Sequence, residues 1–130
     1  MSNYSSALEF QLSLQRSGEG LRKRTRTEII RIVQNLFTEI VAGTPIDTGV
    51  ARSNWNLSSS GRDTFFSDQR KDFQKSLIEG YRNSQVFKLG DTIHITNATH
   101  YIRELEYGKS KQAPMGWVRI AVERTRRRLR

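Results

Sequence analysis

The stretch EIIRIVQNLFTEIVAGTPIDTGVARSNW, residues 28–55, changes its pattern halfway. Ile29, Val33, Leu36, Phe37, Ile40 and Val41 recur at three- and four-residue steps, so they share one face of an amphipathic helix. Continued upstream, the pattern predicts a helix from Leu21 to about Val41, about 30 Å long at the α-helical rise. Gly43 stands where a C-cap is expected, and Pro45 prevents the helix from resuming. The residues that follow read as a turn and then an extended segment through Trp55 to Ser60.

Asp47-Thr48-Gly49 in this turn has two readings. The same tripeptide forms the active loop of dimeric aspartic proteases, where two such loops meet and two carboxylates share one proton. That arrangement needs an apolar β-branched strand entering the loop and a later apolar strand crossing behind it. Here Thr44-Pro45-Ile46 follows a long helix, and no later strand has the required ending. The structural reading fits better. Proline fixes one dihedral, the aspartate carboxylate accepts main-chain N–H groups, and glycine permits positive φ. Asp47, Thr48 and Gly49 then form a stiff hinge between helix and sheet. Trp55 buries its ring against the helix, and Arg52 is placed to pair with Asp47 or with a neighbouring subunit.

Outward from this segment, Leu8, Phe10, Leu12 and Leu14 alternate with polar residues, the mark of a half-buried strand. Asp63 to about Tyr81 fits a second, weaker helix through Phe66, Phe73, Leu77, Ile78 and Tyr81. Residues 91–97 form a short strand with Ile93 and Ile95 on one face. Residues 100–107 read as a helical turn stopped by Gly108, followed by the polar loop KSKQAPMG. Residues 117–122 suit either a strand or a helix. The helix formers in RTRRRLR favour helix, with a basic tail over about 123–130. The expected fold is α+β: a small, mostly antiparallel sheet packed against one long helix, with shorter helices added, in one domain over residues 1–130.

The chain has 130 residues, 35% of them apolar, and a formal net charge of +9. Folding at this length hides roughly two-thirds of the unfolded surface, so a modest core leaves room for stabilisation by neighbours. With no cysteine, disulfides, thiolate nucleophiles and zinc fingers are excluded. No apolar run approaches the ~18 residues of a membrane span, and the N-terminus lacks the pattern of a signal peptide. The cations cluster at Arg22, Lys23, Arg24 and Arg26, and again at Arg119, Arg124, Arg126, Arg127, Arg128 and Arg130. The first cluster opposes the dipole of the expected helix, which leaves two equal readings, an acidic partner outside the monomer or a solvated face that tolerates the charge. His94 and His100 have no metal-ligand pattern around them, and Glu104 and Glu106 diverge on a helix. No phosphate-cradling glycine loop is present and no nucleophile-base arrangement can be argued from spacing, so the residues offer no candidate catalytic, metal or cofactor site.

Two separated stretches, TPIDTGVARSNW and ITNATHYIRELEYGKSKQAPMGWVRIAV, together resemble the small tail-completion or neck proteins of long-tailed bacteriophages, also described as head–tail joining or minor tail proteins. Pro45, Asp47, Thr48, Gly49, Asn54 and Trp55 match the first family motif. Asn97, Tyr101, Leu105, Glu106, Gly108, Ser110, Gln112, Ala113, Pro114 and Gly116 match the second. Val50 and Ala98-Thr99-His100 depart from the family's usual residues, and residues 60–70 are more polar. The resemblance implies a noncatalytic virion protein, assembled in the bacterial host cytoplasm, that forms a ring, usually sixfold, at the head–tail junction with DNA passing through its centre. Its expected partners are its own copies and other neck, connector or tail-tube proteins. Tyr101, Glu106, Gly108, Ser110, Gln112, Ala113, Pro114 and Gly116 become interface candidates. Arg22, Lys23, Arg24, Arg26, Arg124, Arg126, Arg127, Arg128 and Arg130 become candidates for contact with a partner. Acidic protein is the favoured partner for the arginines, because a strong cationic sleeve would hinder a sliding genome; DNA phosphates and simple solvation are the other readings. Alternative functions are a tail terminator capping the tube and a basic nucleic-acid-binding protein.

Overall fold

The chain alternates strands with helices, and its sheet is assembled from strands distant in sequence. The computed structural model describes residues 7–14, 25–46, 49–59, 61, 63–69, 71–107 and 116–129. Strand β1 spans Leu8–Ser13, helix α1 Arg26–Gly43, strand β2 Trp55–Ser58, helix α2 Phe73–Ser84, strand β3 Thr92–Asn97, helix α3 Ile102–Glu106 and helix α4 Trp117–Leu129. A single 3-10 turn, Arg52–Asn54, leads into β2. The sheet order is β1-β3-β2, and both pairings are antiparallel. This is the expected α+β architecture, with a small antiparallel sheet, one long helix and shorter ones.

The registers sort the side chains by face. Leu8, Phe10 and Leu12 stand opposite Asn97, Ile95 and Ile93, while Trp55 and Leu57 stand opposite Asn97 and Ile95. These residues form the inner face, and they join Val33, Leu36, Phe37, Ile40 and Val41 of α1 in one core. Each fully buried side chain of this size contributes about 1.5–3 kcal/mol. The outer face carries Glu9 and His94, whose carboxylate and Nδ1 lie 2.7 Å apart, so this histidine has an intramolecular partner.

Helix α1 begins later than its hydrophobic pattern predicts. Thr25 is the N-cap and accepts the Glu28 N–H at 3.1 Å. Thr25-Arg26-Thr27-Glu28 is a capping-box sequence, which outweighs the weak apolar signal of Leu21. Arg22, Lys23 and Arg24 therefore precede the helix and lie outside the described residues. Of this cluster Arg26 alone occupies the first turn, where it is exposed and reaches across to the end of α2. Its Nε and Nη2 donate to the carbonyls of Phe87 and Gln85, at 2.7 and 2.6 Å. Those carbonyls follow the end of α2, where the helix dipole favours a cation.

The second helix is also shifted from its predicted span. It runs from Phe73 to Ser84, with Asp72 accepting the Lys75 N–H as N-cap. Residues 63–69 are not helical. Asn54 and Asn56 hold this segment beside β2 by side-chain bonds to the main chain of Ser67, Asp63 and Phe65. The buried face of α2 is the small-residue row Ser76, Gly80 and Ser84, while Ile78 is exposed. A methyl group at Gly80 would overlap the Phe37 ring, so glycine is what lets α2 approach α1. Across this seam Gln34 donates to Ser84 Oγ at 2.8 Å, and the Thr38 and Tyr81 hydroxyls bond to each other.

The alternative of strand or helix for residues 117–122 is resolved as helix, and α4 continues through the arginine-rich segment to Leu129. Gly43 is the last residue of α1 and lies under the Trp117 indole, where a Cβ would stand 2.8 Å from Cδ1. The C-cap role expected of Gly43 belongs to Thr44.

Candidate interaction surface

One end of the sheet is defined by the row Leu8, Asn97 and Trp55. The chain segments around this row are fastened by polar side chains with no solvent exposure to spare. Thr44 Oγ1 donates to the Ile40 carbonyl at 2.7 Å and accepts Trp55 Nε1 at 2.9 Å. Asn54 Nδ2 donates to the carbonyl of Val50 at 2.7 Å, and Ser53 Oγ to that of Gly49 at 2.6 Å. Gly49 has φ 80°, as a hinge glycine should. Asp47 and Thr48, the other two residues of that turn, lie outside the described residues. Arg52 stacks over the Phe73 ring at 5.4 Å.

Asn97 joins two segments distant in sequence here. Its Nδ2 donates to the Ala51 carbonyl at 2.9 Å, and its Oδ1 accepts the Thr99 N–H at 2.9 Å. A fully buried asparagine with both halves of its amide used fixes the 49–55 turn against the β3–α3 connection. Trp117 adds a second fastening, donating Nε1 to the Ile40 carbonyl at 3.3 Å. Trp55 and Trp117 are both buried, in keeping with their expected role in packing.

Glu106 corrects the sequence reading. Expected at an interface, it has 0% exposure within the chain itself. Its Oε1 and Oε2 accept the N–H groups of Val118 and Arg119, both at 3.0 Å, at the first turn of α4. Arg119 Nε lies 3.4 Å from Oε2, and its guanidinium covers the Tyr107 ring at 4.9 Å. The carboxylate therefore satisfies orphan donors and complements the positive end of the helix. Gly116 is likewise structural: it is buried, has φ 76°, and donates its N–H to the Glu106 carbonyl at 2.6 Å. Gly108, Ser110, Gln112, Ala113 and Pro114 lie outside the described residues. These residues follow Tyr107 and precede Gly116, whose N–H is bonded to the carbonyl of Glu106, the neighbour of Tyr107.

Tyr101 is the interface candidate that reaches a surface feature. With Pro45, Val50, Phe66, Asp68, His100 and Leu105 it lines a groove of about 470 Å³. Most of that lining is apolar, and Phe66 remains 41% exposed. The sequence reading assigned Phe66 to a helix face and left Asp68 and Pro45 without a joint role. Their juxtaposition depends on the long-range pairing through Asn54 and Asn97, which no local pattern encodes.

The basic candidates divide. Arg124 pairs with Glu39 at 2.8 Å. Arg126 pairs with Glu123 and donates Nη2 to the Gln11 carbonyl of edge strand β1 at 2.7 Å. Arg127 and Arg128 are exposed on α4, and Arg130 lies outside the described residues. The basic stretch over 123–129 is thus helical, with Thr125 buried, and does not form a free tail. Among the described residues there is no cluster of three or more His, Cys, Asp or Glu able to hold a metal ion, and no helix is long and apolar enough to cross a membrane.

Comparison of the chain with family models, curated proteins and solved structures gave no match. The functional reading accordingly rests on the residues and on the surface just described.

Proposed function

We propose that this chain is a noncatalytic structural component of the head–tail junction of a long-tailed bacteriophage, acting as a ring-forming neck or tail-completion subunit. The observation that carries the reading is the meeting of its two motif stretches, far apart in sequence, at one end of the sheet. Asn97 bonds to Ala51 across 46 positions, and Pro45 and Val50 share a groove with Tyr101 and Leu105. Two stretches serving only local turns have no need to converge. Residues that jointly build one docking surface do.

The physics of assembly suits this role. A ring needs a heterologous contact, in which one face of a subunit meets a different face of the next. The chain offers an apolar groove on one surface and a basic helix face on another. Arg124 and Arg127 on α4 suit an acidic protein neighbour, whereas exposed cations bound to phosphates would make assembly steeply salt-dependent. In this reading Asp47 and its turn serve as a hinge, and the protein performs no peptide chemistry.

The test is direct. Virions of the phage encoding the chain are purified, and the protein is sought by mass spectrometry and by antibody labelling in electron micrographs. The expected result is label at the junction of head and tail, with unjoined heads and tails accumulating when the gene is removed. Complete virions that lack the protein, and normal particle yield without its gene, would overturn the proposal.

A further inference from the structure

The groove is apolar with a carboxylate at its rim, and the exposed side of α4 carries an apolar side chain with cations beyond it. Pro45 is buried at the base of the groove, Val50, Tyr101 and Leu105 are half-buried around it, and Phe66 and Asp68 are exposed at its rim. Among the described residues Asp68 has no cation within ion-pair distance. An apolar slot with a carboxylate at its rim suits an apolar side chain with a cation on one side of it.

The described part of the chain carries such a group. Ile120 is 56% exposed on α4, although its helix buries Trp117, Val118, Ala121, Val122 and Thr125. Arg124 and Arg127 follow it at four and seven residues, on the same side of the helix. Arg124 is held by Glu39, but Arg127 has no ion-pair partner among the described residues. Resting on the ring proposed above, we infer that the groove of one subunit receives Ile120 from α4 of a second copy, with Arg127 meeting Asp68 at the rim. The two surfaces are unlike patches of one chain, so the contact is heterologous and propagates from copy to copy.

Sedimentation velocity of the full-length chain over a concentration series tests this. Ile120→Glu and Phe66→Glu alter exposed positions, and circular dichroism verifies that each variant is folded. Each is expected to raise the concentration at the assembly midpoint by roughly tenfold or more. Asp68→Arg and Arg127→Asp are each expected to weaken assembly by about threefold or more, and the double variant to restore it. Rings that form equally well with Ile120→Glu, or a double variant no better than the singles, overturn the inference. So does assembly lost on groove substitutions but untouched by those on α4, since another occupant then fills the slot. Rings insensitive to all four changes leave the neck reading standing, whereas a chain that is monomeric and missing from virions removes both.

Discussion

Glu106 accepts the backbone N–H of Val118 from twelve residues away and by that bond fastens α4 to α3. It is a helix cap supplied from outside the helix, fully buried and shared with the next N–H, that of Arg119. Replacing Glu106 with Ala removes both acceptors and strands buried donors, which costs roughly 2–4 kcal/mol. Glu106→Gln keeps one acceptor and should recover part of that loss. Urea unfolding monitored by Trp117 fluorescence reads the difference, and equal stability of Glu106→Ala and the parent would show that water replaces the cap.

The seam between α1 and α2 leads to a second expectation. Because the Phe37 ring lies directly on Gly80, Gly80→Ala forces the two helices apart despite its better helix propensity. The net effect is a destabilisation of about 1–3 kcal/mol. Phe37→Leu in the same chain makes room for the methyl group. The double variant should therefore be more stable than the sum of the singles implies, as a double-mutant cycle in thermal unfolding would reveal.

The asparagine that joins the two motif stretches gives a third. Asn97→Ala leaves the Ala51 carbonyl and the Thr99 N–H unpaired in the interior, at roughly 2–4 kcal/mol. Asn97→Asp retains the acceptor for Thr99 but loses the donor to Ala51. Both variants should speed amide exchange at residues 49–54 more than in β1. Unchanged exchange in that turn would mean that Thr44 and Trp55 hold it without Asn97.

Arg126 supports a fourth, concerned with association more than with folding. Its guanidinium occupies an outward carbonyl of β1, an edge strand. Exposed edges pair with other chains. Arg126→Ala should lower stability by no more than about 1 kcal/mol, as expected for a partly exposed interaction. It should nonetheless increase irregular aggregation measured by light scattering on warming. A variant as soluble as the parent would show that the edge is protected by other means.

Where the sequence pattern was regular, it was informative. The alternation in β1, the isoleucines of β3 and the apolar stripe of α1 all reappear on the faces their periods assign. The helical choice for α4 followed from composition and is what the chain adopts. The misreadings have separate causes. Hydrophobic periodicity has no marker for a boundary, so the start of α1 needed the Thr25–Glu28 capping box to be noticed. Phe73 and Leu77 of α2 pack against the core as their spacing predicts, but Ile78 is exposed, and the fully buried row of serine and glycine carries no hydropathy signal. Glu106 became an interface candidate through the resemblance alone, and only the return of the chain at Gly116 brings up the Val118 and Arg119 donors that its buried carboxylate accepts.

That return also bears on how such a protein could change its contacts over time. The Gly116 N–H meets the Glu106 carbonyl at 2.6 Å, so the departure and arrival points of the intervening segment are adjacent and anchored in the same place. Lengthening, shortening or exchanging the residues between them need not alter the separation of α3 and α4. Grafts at this position are therefore expected to leave the body of the protein intact.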